Sequence, residues 1–75
     1  MKERLLNRIR EKREQHGLTQ AELAHRIGVS RKTVNTIENL VFSPSALLAI
    51  KLAKELGSTV EELFWIDDDV SPRPG

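Results

Sequence analysis

No cysteine and no tyrosine occur in the 75 residues, and the aromatic side chains are Phe42, Phe64 and Trp65. Without cysteine, neither a disulfide framework nor a thiolate metal site can support the fold. A chain this short buries a modest share of its surface. It must fold by helix packing, or gain support from a partner or a second copy. No apolar run approaches the length of a membrane span, and the first residues are charged, unlike a secretory leader. Together these absences lead to the expectation of a cytoplasmic protein without membrane contact. There is no Gly-rich phosphate loop. His16 and His25 stand alone, with no metal-ligand or triad partner at useful spacing. No enzyme, cofactor or metal site is therefore expected. The acids at 67–69 read as a solvated tail ahead of a cation site.

What the sequence does hold is helix-forming. Leu, Ala, Glu, Lys and Arg dominate, and glycine and proline fall at the ends of segments. Gly17, Gly28 and Gly57 each follow an apolar-periodic run, where a helix stop is expected. Thr19, Ser30 and Ser58 follow within two residues as capping hydroxyls. Thr19 with Glu22, and Ser58 with Glu61, have the spacing of capping boxes. This punctuation predicts five helices, over residues 3–16, 20–27, 31 to about 39, 44 or 45 to 56, and 59 to about 65. The fold class expected is all-α, a compact five-helix bundle. Residues 1–66 form the domain, and residues 67–75, with three acids and two prolines, form a disordered tail.

The apolar positions fit this frame. Leu6 and Ile9 share a face of the first helix, and Leu23, Ala24 and Ile27 one of the second. Val34, Ile37 and Val41 face inward from the third. Ala46, Ala49, Ile50, Ala53 and Leu56 make a stripe on the fourth, and Val60, Leu63 and Phe64 on the fifth. Two charges interrupt the pattern. Arg13 follows Ile9 by four, and Glu38 follows Val34 by four, so both point inward. A buried unpaired charge is too costly. Either the two form an ion pair joining the first and third helices, or both side chains snorkel to solvent.

Charge is also uneven along the chain. Residues 1–32 carry nine basic and four acidic side chains, whereas residues 33–75 carry three basic and seven acidic. One end thus suits a polyanion. Gly28-Val29-Ser30 is a very short connection, which forces the second and third helices to cross steeply, with Val29 plugging the angle. The third helix then presents Arg31, Lys32, Asn35, Thr36 and Asn39. These residue types read base edges in a major groove.

The segments Thr19-Gln20-Ala21-Glu22-Leu23-Ala24, Gly28-Val29-Ser30, Thr33-Val34 and Ile37-Glu38-Asn39 resemble the phage-repressor and Cro-like (Xre) helix-turn-helix family. Ser43-Pro44-Ser45, Leu52-Ala53 and Glu61-Glu62-Leu63-Phe64 match it as well, and the resemblance covers residues 6–64. It implies a lambda-repressor-like DNA-binding domain that binds double-stranded DNA in sequence-specific fashion and acts as a repressor. By the same resemblance Arg31, Lys32 and Thr33 sit at base-reading or groove-facing positions, with Asn35 and Thr36 one turn deeper. Ser30 belongs to the same DNA-binding set. Gln20 would bond a backbone phosphate and brace the recognition helix, and Thr19 and Asn39 would add backbone contacts. The family's Arg–Glu buried pair falls on Arg13 and Glu38.

The sequence departs from the family in three places. Leu40 stands where Gly is common, so either Asn39 takes the left-handed conformation or the third helix extends to Val41. The loop over residues 40–43 has no Lys or Arg, so few phosphate contacts are expected from it. Leu47, Trp65 and Ile66 add apolar groups on the surface. Either they form a homodimer contact, or Trp65 folds back on its own core. A second function class is an antitoxin that holds a toxin through residues 66–75 and autoregulates its operon.

Overall fold

The computed structural model describes residues 3–68. Among the described residues there are five helices, but this stretch begins and ends in strands. In order these are β1 (Glu3–Asn7), α1 (Ile9–Gln15), α2 (Gln20–Ile27), α3 (Arg31–Glu38), α4 (Ala46–Glu55), α5 (Val60–Leu63) and β2 (Phe64–Asp68). The two strands pair antiparallel into a two-stranded ribbon, so the all-α expectation holds for the middle of the chain and fails at its ends. The predicted first helix loses its first half to β1. The predicted fifth helix shrinks to one turn before β2. Residues 67 and 68, assigned to the tail, lie in β2, while the rest of that stretch is outside the described residues.

The ribbon has a physical reason that local periodicity does not reveal. Phe64, Trp65 and Ile66 are aromatic and β-branched residues, which suit a pleated surface. Their partners lie about sixty residues away: Asn7 faces Phe64, Leu6 faces Trp65, Leu5 faces Ile66 and Arg4 faces Asp67. Leu6 against Trp65 is a favourable cross-strand pair. Arg4 Nη2 adds an exposed ion pair at 3.3 Å from Asp67 Oδ2. The Arg8 amide donates to the Leu63 carbonyl at 3.0 Å, joining the ribbon to the helical body.

Helices α2 to α4 start on side-chain caps. Thr19, Ser30 and Ser45 each accept from an amide three residues on, and Thr19 with Glu22 completes a capping box. The fifth helix corrects the expectation by one residue: the box is Thr59 with Glu62, not Ser58 with Glu61. The Ser58 amide is already used, donating to the Ala53 carbonyl at 2.8 Å to close α4. The cap therefore moves one position along.

The core is one cluster built from Ile9, Leu23, Ala24, Ile27, Val34, Ile37, Ala49, Leu52, Ala53, Leu56, Leu63 and Phe64. On α4 the buried stripe is Ala49, Leu52, Ala53 and Leu56, spaced i, i+3, i+4, i+7. Ala46 is exposed, and Ile50, one residue around the helix from Ala49, is 48% exposed. Val41 is 77% exposed because α3 ends before it, and Val60 also lies at the surface. His16 Nε2 meets the Leu56 carbonyl at 2.8 Å, tying the ends of α1 and α4. Among the described residues no helix is long and apolar enough to cross a membrane.

Candidate nucleic-acid interface

The turn between α2 and α3 follows from Gly28. Its φ of +78° is left-handed, a conformation glycine adopts without a Cβ clash. This geometry lets the Val29 amide return to the Ala24 carbonyl at 3.0 Å, closing α2 while Val29 packs against the core. Ser30 then caps α3, its Oγ accepting from the Thr33 amide at 3.2 Å. Three residues thus stop one helix, turn the chain and start the next.

What holds α3 in place is one buried carboxylate. The Glu38 side chain is fully buried. Its Oε2 accepts from Arg13 Nε at 2.7 Å, and its Oε1 accepts from Arg13 Nη2 at 3.2 Å, a two-point guanidinium–carboxylate contact. Oε1 also accepts from Gln20 Nε2 at 3.0 Å and from Arg10 Nε at 3.4 Å. Arg13 uses its remaining nitrogen on the Leu18 carbonyl at 2.9 Å. The ion pair is therefore formed and neither side chain snorkels. Burial pushes the Glu38 carboxyl up, but the bonds from Arg13 and Gln20 and the Arg13 charge outweigh it, and the net shift is downward. Arg13 is raised, first by its bond to Glu38. Both shifts favour the charged pair.

Gln20 braces α3 in a second way, since its Oε1 accepts from Asn35 Nδ2 at 3.4 Å. One side chain at the start of α2 thus bonds two residues of α3. Sequence reasoning missed two further supports. Asn7 Oδ1 accepts from the Ile9 amide at 3.1 Å, satisfying the start of α1, and its Nδ2 donates to the Ile37 carbonyl at 3.0 Å. Arg10, besides Glu38, reaches Asn39 Oδ1 at 3.3 Å. Both residues fall within the continuous first helix that the sequence predicts, so no local signal singles them out.

On the outer side, Arg31 and Lys32 are exposed on the first turn of α3, with Thr33, Asn35 and Thr36 half-buried behind them. Thr36 Oγ1 donates to the Thr33 carbonyl, and Asn39 Nδ2 to the Asn35 carbonyl, both at 2.9 Å. Arg31 also lines a shallow depression of about 410 Å³ with Thr19, Gln20 and Ala21 at the start of α2. The structure thus gathers Thr19, Gln20 and Arg31 at one depression. It sets Ser30, Lys32, Thr33 and Thr36 along another groove.

The end of α3 departs from both alternatives drawn from the sequence. Asn39 keeps an ordinary φ of −91°, α3 stops at Glu38, and Leu40 itself takes the left-handed conformation at φ 64°. The Leu40 amide donates to the Ile37 carbonyl at 3.1 Å, and Val41 and Phe42 amides to the Thr36 carbonyl at 2.9 and 3.2 Å. The chain thus makes with leucine the helix stop usually made with glycine.

Leu47, Trp65 and Ile66 do not share one face. Leu47 stands on the exposed side of α4 beside the α2–α3 turn. Trp65 and Ile66 are successive residues of β2, and side chains alternate across a strand. Trp65 pairs with Leu6 and lies under the Arg8 guanidinium, 4.8 Å from the ring centroid, whereas Ile66 is 61% exposed.

A short glycine-closed turn, joining a braced helix to one with an exposed basic first turn, defines a helix-turn-helix. A family model of the helix-turn-helix matches residues 9–63. An HTH-type transcriptional regulator of Methanothermobacter thermautotrophicus is 47% identical over 62 residues, covering 81% of this chain and 90% of that protein. YgzD, an HTH-type transcriptional regulator of Bacillus subtilis, is 36% identical over 63 residues, covering 84% and 96%. Among solved structures, the restriction-modification controller protein C.AhdI from Aeromonas hydrophila superposes with a TM-score of 0.69 at 36% identity, over 75% of this chain and 81% of that one. The clp gene regulator ClgR from Corynebacterium glutamicum gives 0.66 at 29% identity over 69% of this chain, which spans about half (55%) of that structure. The chain belongs to the helix-turn-helix family, in its phage-repressor and Cro-like (Xre) branch of DNA-binding transcriptional regulators.

Proposed function

We propose that α3 is the recognition helix and that the chain binds specific sites in double-stranded DNA as a homodimeric repressor. The observation that carries this reading is the pinning of α3 by Glu38 and Gln20, which leaves Arg31 and Lys32 exposed on its first turn. A rigid helix with its donors on the leading turn suits major-groove insertion. Arg31, Lys32 and Thr33 contact base edges, and Asn35 and Thr36 lie a turn deeper. The start of α2, with Thr19 exposed and Gln20 half-buried, takes a backbone phosphate. Ser30 and Asn39 flank the contact. A compact domain seated on a promoter blocks access to it, so the regulatory outcome is repression. Of the apolar groups left open at Leu47, Trp65 and Ile66, those on β2 supply the contact between copies, with Leu47 on another face. A toxin-binding role for residues 66–75 lies mostly outside the described residues, and nothing favours it.

The test begins with selection of bound sequences from a random DNA pool. Arg31→Ala is expected to cost about 1–3 kcal/mol on the selected site and to relax preference at one base pair. Gln20→Ala is expected to weaken binding evenly across sequences, because it loosens the whole helix. Equal, sequence-independent losses from both would remove Arg31 from direct readout.

A further inference from the structure

The loop after α3 lacks any cation, yet it is built firmly against the recognition helix. Leu40, Val41, Phe42 and Ser43 carry no charge, so this loop cannot hold phosphate electrostatically. Val41 and Phe42 amides both donate to the Thr36 carbonyl, fixing the loop to α3. Among the described non-glycine residues Leu40 alone has positive φ, and this conformation is what turns Val41 and Phe42 back toward α3. Val41 is 77% and Phe42 50% exposed. The two line a groove of about 320 Å³ with Ser30, Lys32, Thr33 and Thr36. Lys32, Thr33 and Thr36 lie on one face of α3, the face assigned above to base edges. An apolar wall therefore runs beside the reading residues.

Only one base-edge group in the major groove is apolar, the C5-methyl of thymine. We infer that the groove between Thr36, Val41 and Phe42 receives a thymine methyl, so that this loop specifies sequence by apolar contact instead of positioning the protein on phosphate. The inference rests on α3 being the recognition helix, and it deepens that reading by naming what lies at its edge.

Replacing each thymine of the selected duplex in turn by deoxyuridine removes one methyl and leaves every hydrogen-bonding group in place. Titration by fluorescence anisotropy should then show one or two positions at which wild-type affinity falls about fourfold, the worth of one buried methyl group. Phe42→Ser and Val41→Ser should bind thymine and deoxyuridine duplexes equally at those positions. Val60→Ser, at the exposed start of α5, should keep the discrimination. Because the loop is held by backbone amides, the variants should retain the wild-type circular dichroism spectrum. Specific binding that ignores deoxyuridine at every position would overturn this inference and leave the recognition-helix reading standing. A Phe42→Ser variant that keeps the discrimination but loses self-association would also overturn it, and would give the groove to a second copy. Failure to bind any duplex would overturn both readings.

Discussion

Leu40 holds a backbone conformation that L-residues other than glycine adopt at a cost, because the Cβ crowds the following carbonyl. At Gly17, Gly28 and Gly57 the same helix stop falls on glycine. Leu40→Gly should remove the crowding while raising the entropy of the unfolded chain, for a net gain of about 0.5–1 kcal/mol. In a domain of this size that raises the Tm by about 2–8 °C. A thermal melt showing no rise would mean that the half-exposed leucine side chain contributes packing of equal worth. Glu38 gives a second prediction. Its carboxyl is held below the ordinary glutamate value of 4.5. The unfolded chain therefore takes up the proton first as the pH falls. The stabilisation is complete above that value and is lost as the pH drops through the lower folded value. Wild type should lose stability in this acid window, and Glu38→Gln should show a flatter acid limb. At neutral pH the same substitution should cost about 3–5 kcal/mol, since it leaves Arg13 buried without its counter-charge. A variant with the wild-type acid limb would place the titrating group elsewhere.

At the scale of elements, caps decide where the short helices begin. α5 is a single turn and nucleates poorly by itself, so its start depends on the Thr59–Glu62 box. Thr59→Ala should cost about 1 kcal/mol in urea unfolding, and Ser58→Ala only a few tenths. The reverse order would return the cap to Ser58, where sequence spacing alone placed it. The boundaries of α2 were legible to the residue, because Thr19, Glu22 and Gly28 mark both ends within the segment itself. The ribbon was not legible. Residues 3–7 have no strong strand character, and they become β1 because Phe64, Trp65 and Ile66 offer a partner edge. That partner lies at the far end of the chain, beyond any local window.

For the whole molecule, the question is what covers the apolar groups that folding leaves outside. Leu47, Ile50 and Ile66 are each about half or more exposed, and among the described residues no further strand pairs with either outer edge of the ribbon. A second copy would cover such groups and bring two recognition helices to half-sites about 34 Å apart. Sedimentation equilibrium should therefore report a dimer at micromolar concentration. Ile66→Ser should shift it toward monomer, whereas Leu47→Ser, on another face, should not. Trp65→Ala should shift it less than Ile66→Ser, because part of that ring is already occupied by Leu6 and Arg8. Monomeric wild type under these conditions would remove the homodimer from the proposal.

The sequence by itself determined the helix-turn-helix, its turn and the exposed Arg31 and Lys32 at the start of α3. Each of those follows from signals a few residues apart: a cap, a stop and an apolar period. It also marked Arg13 and Glu38 as a pair, because a buried charge demands a partner and only these two broke the core pattern. Tertiary structure alone decided the terminal ribbon, the supports from Asn7 and Arg10 and the Gln20 link to Glu38. It also decided the left-handed turn at Leu40. These depend on which distant groups meet, and the free energy of such a meeting is written in neither segment separately.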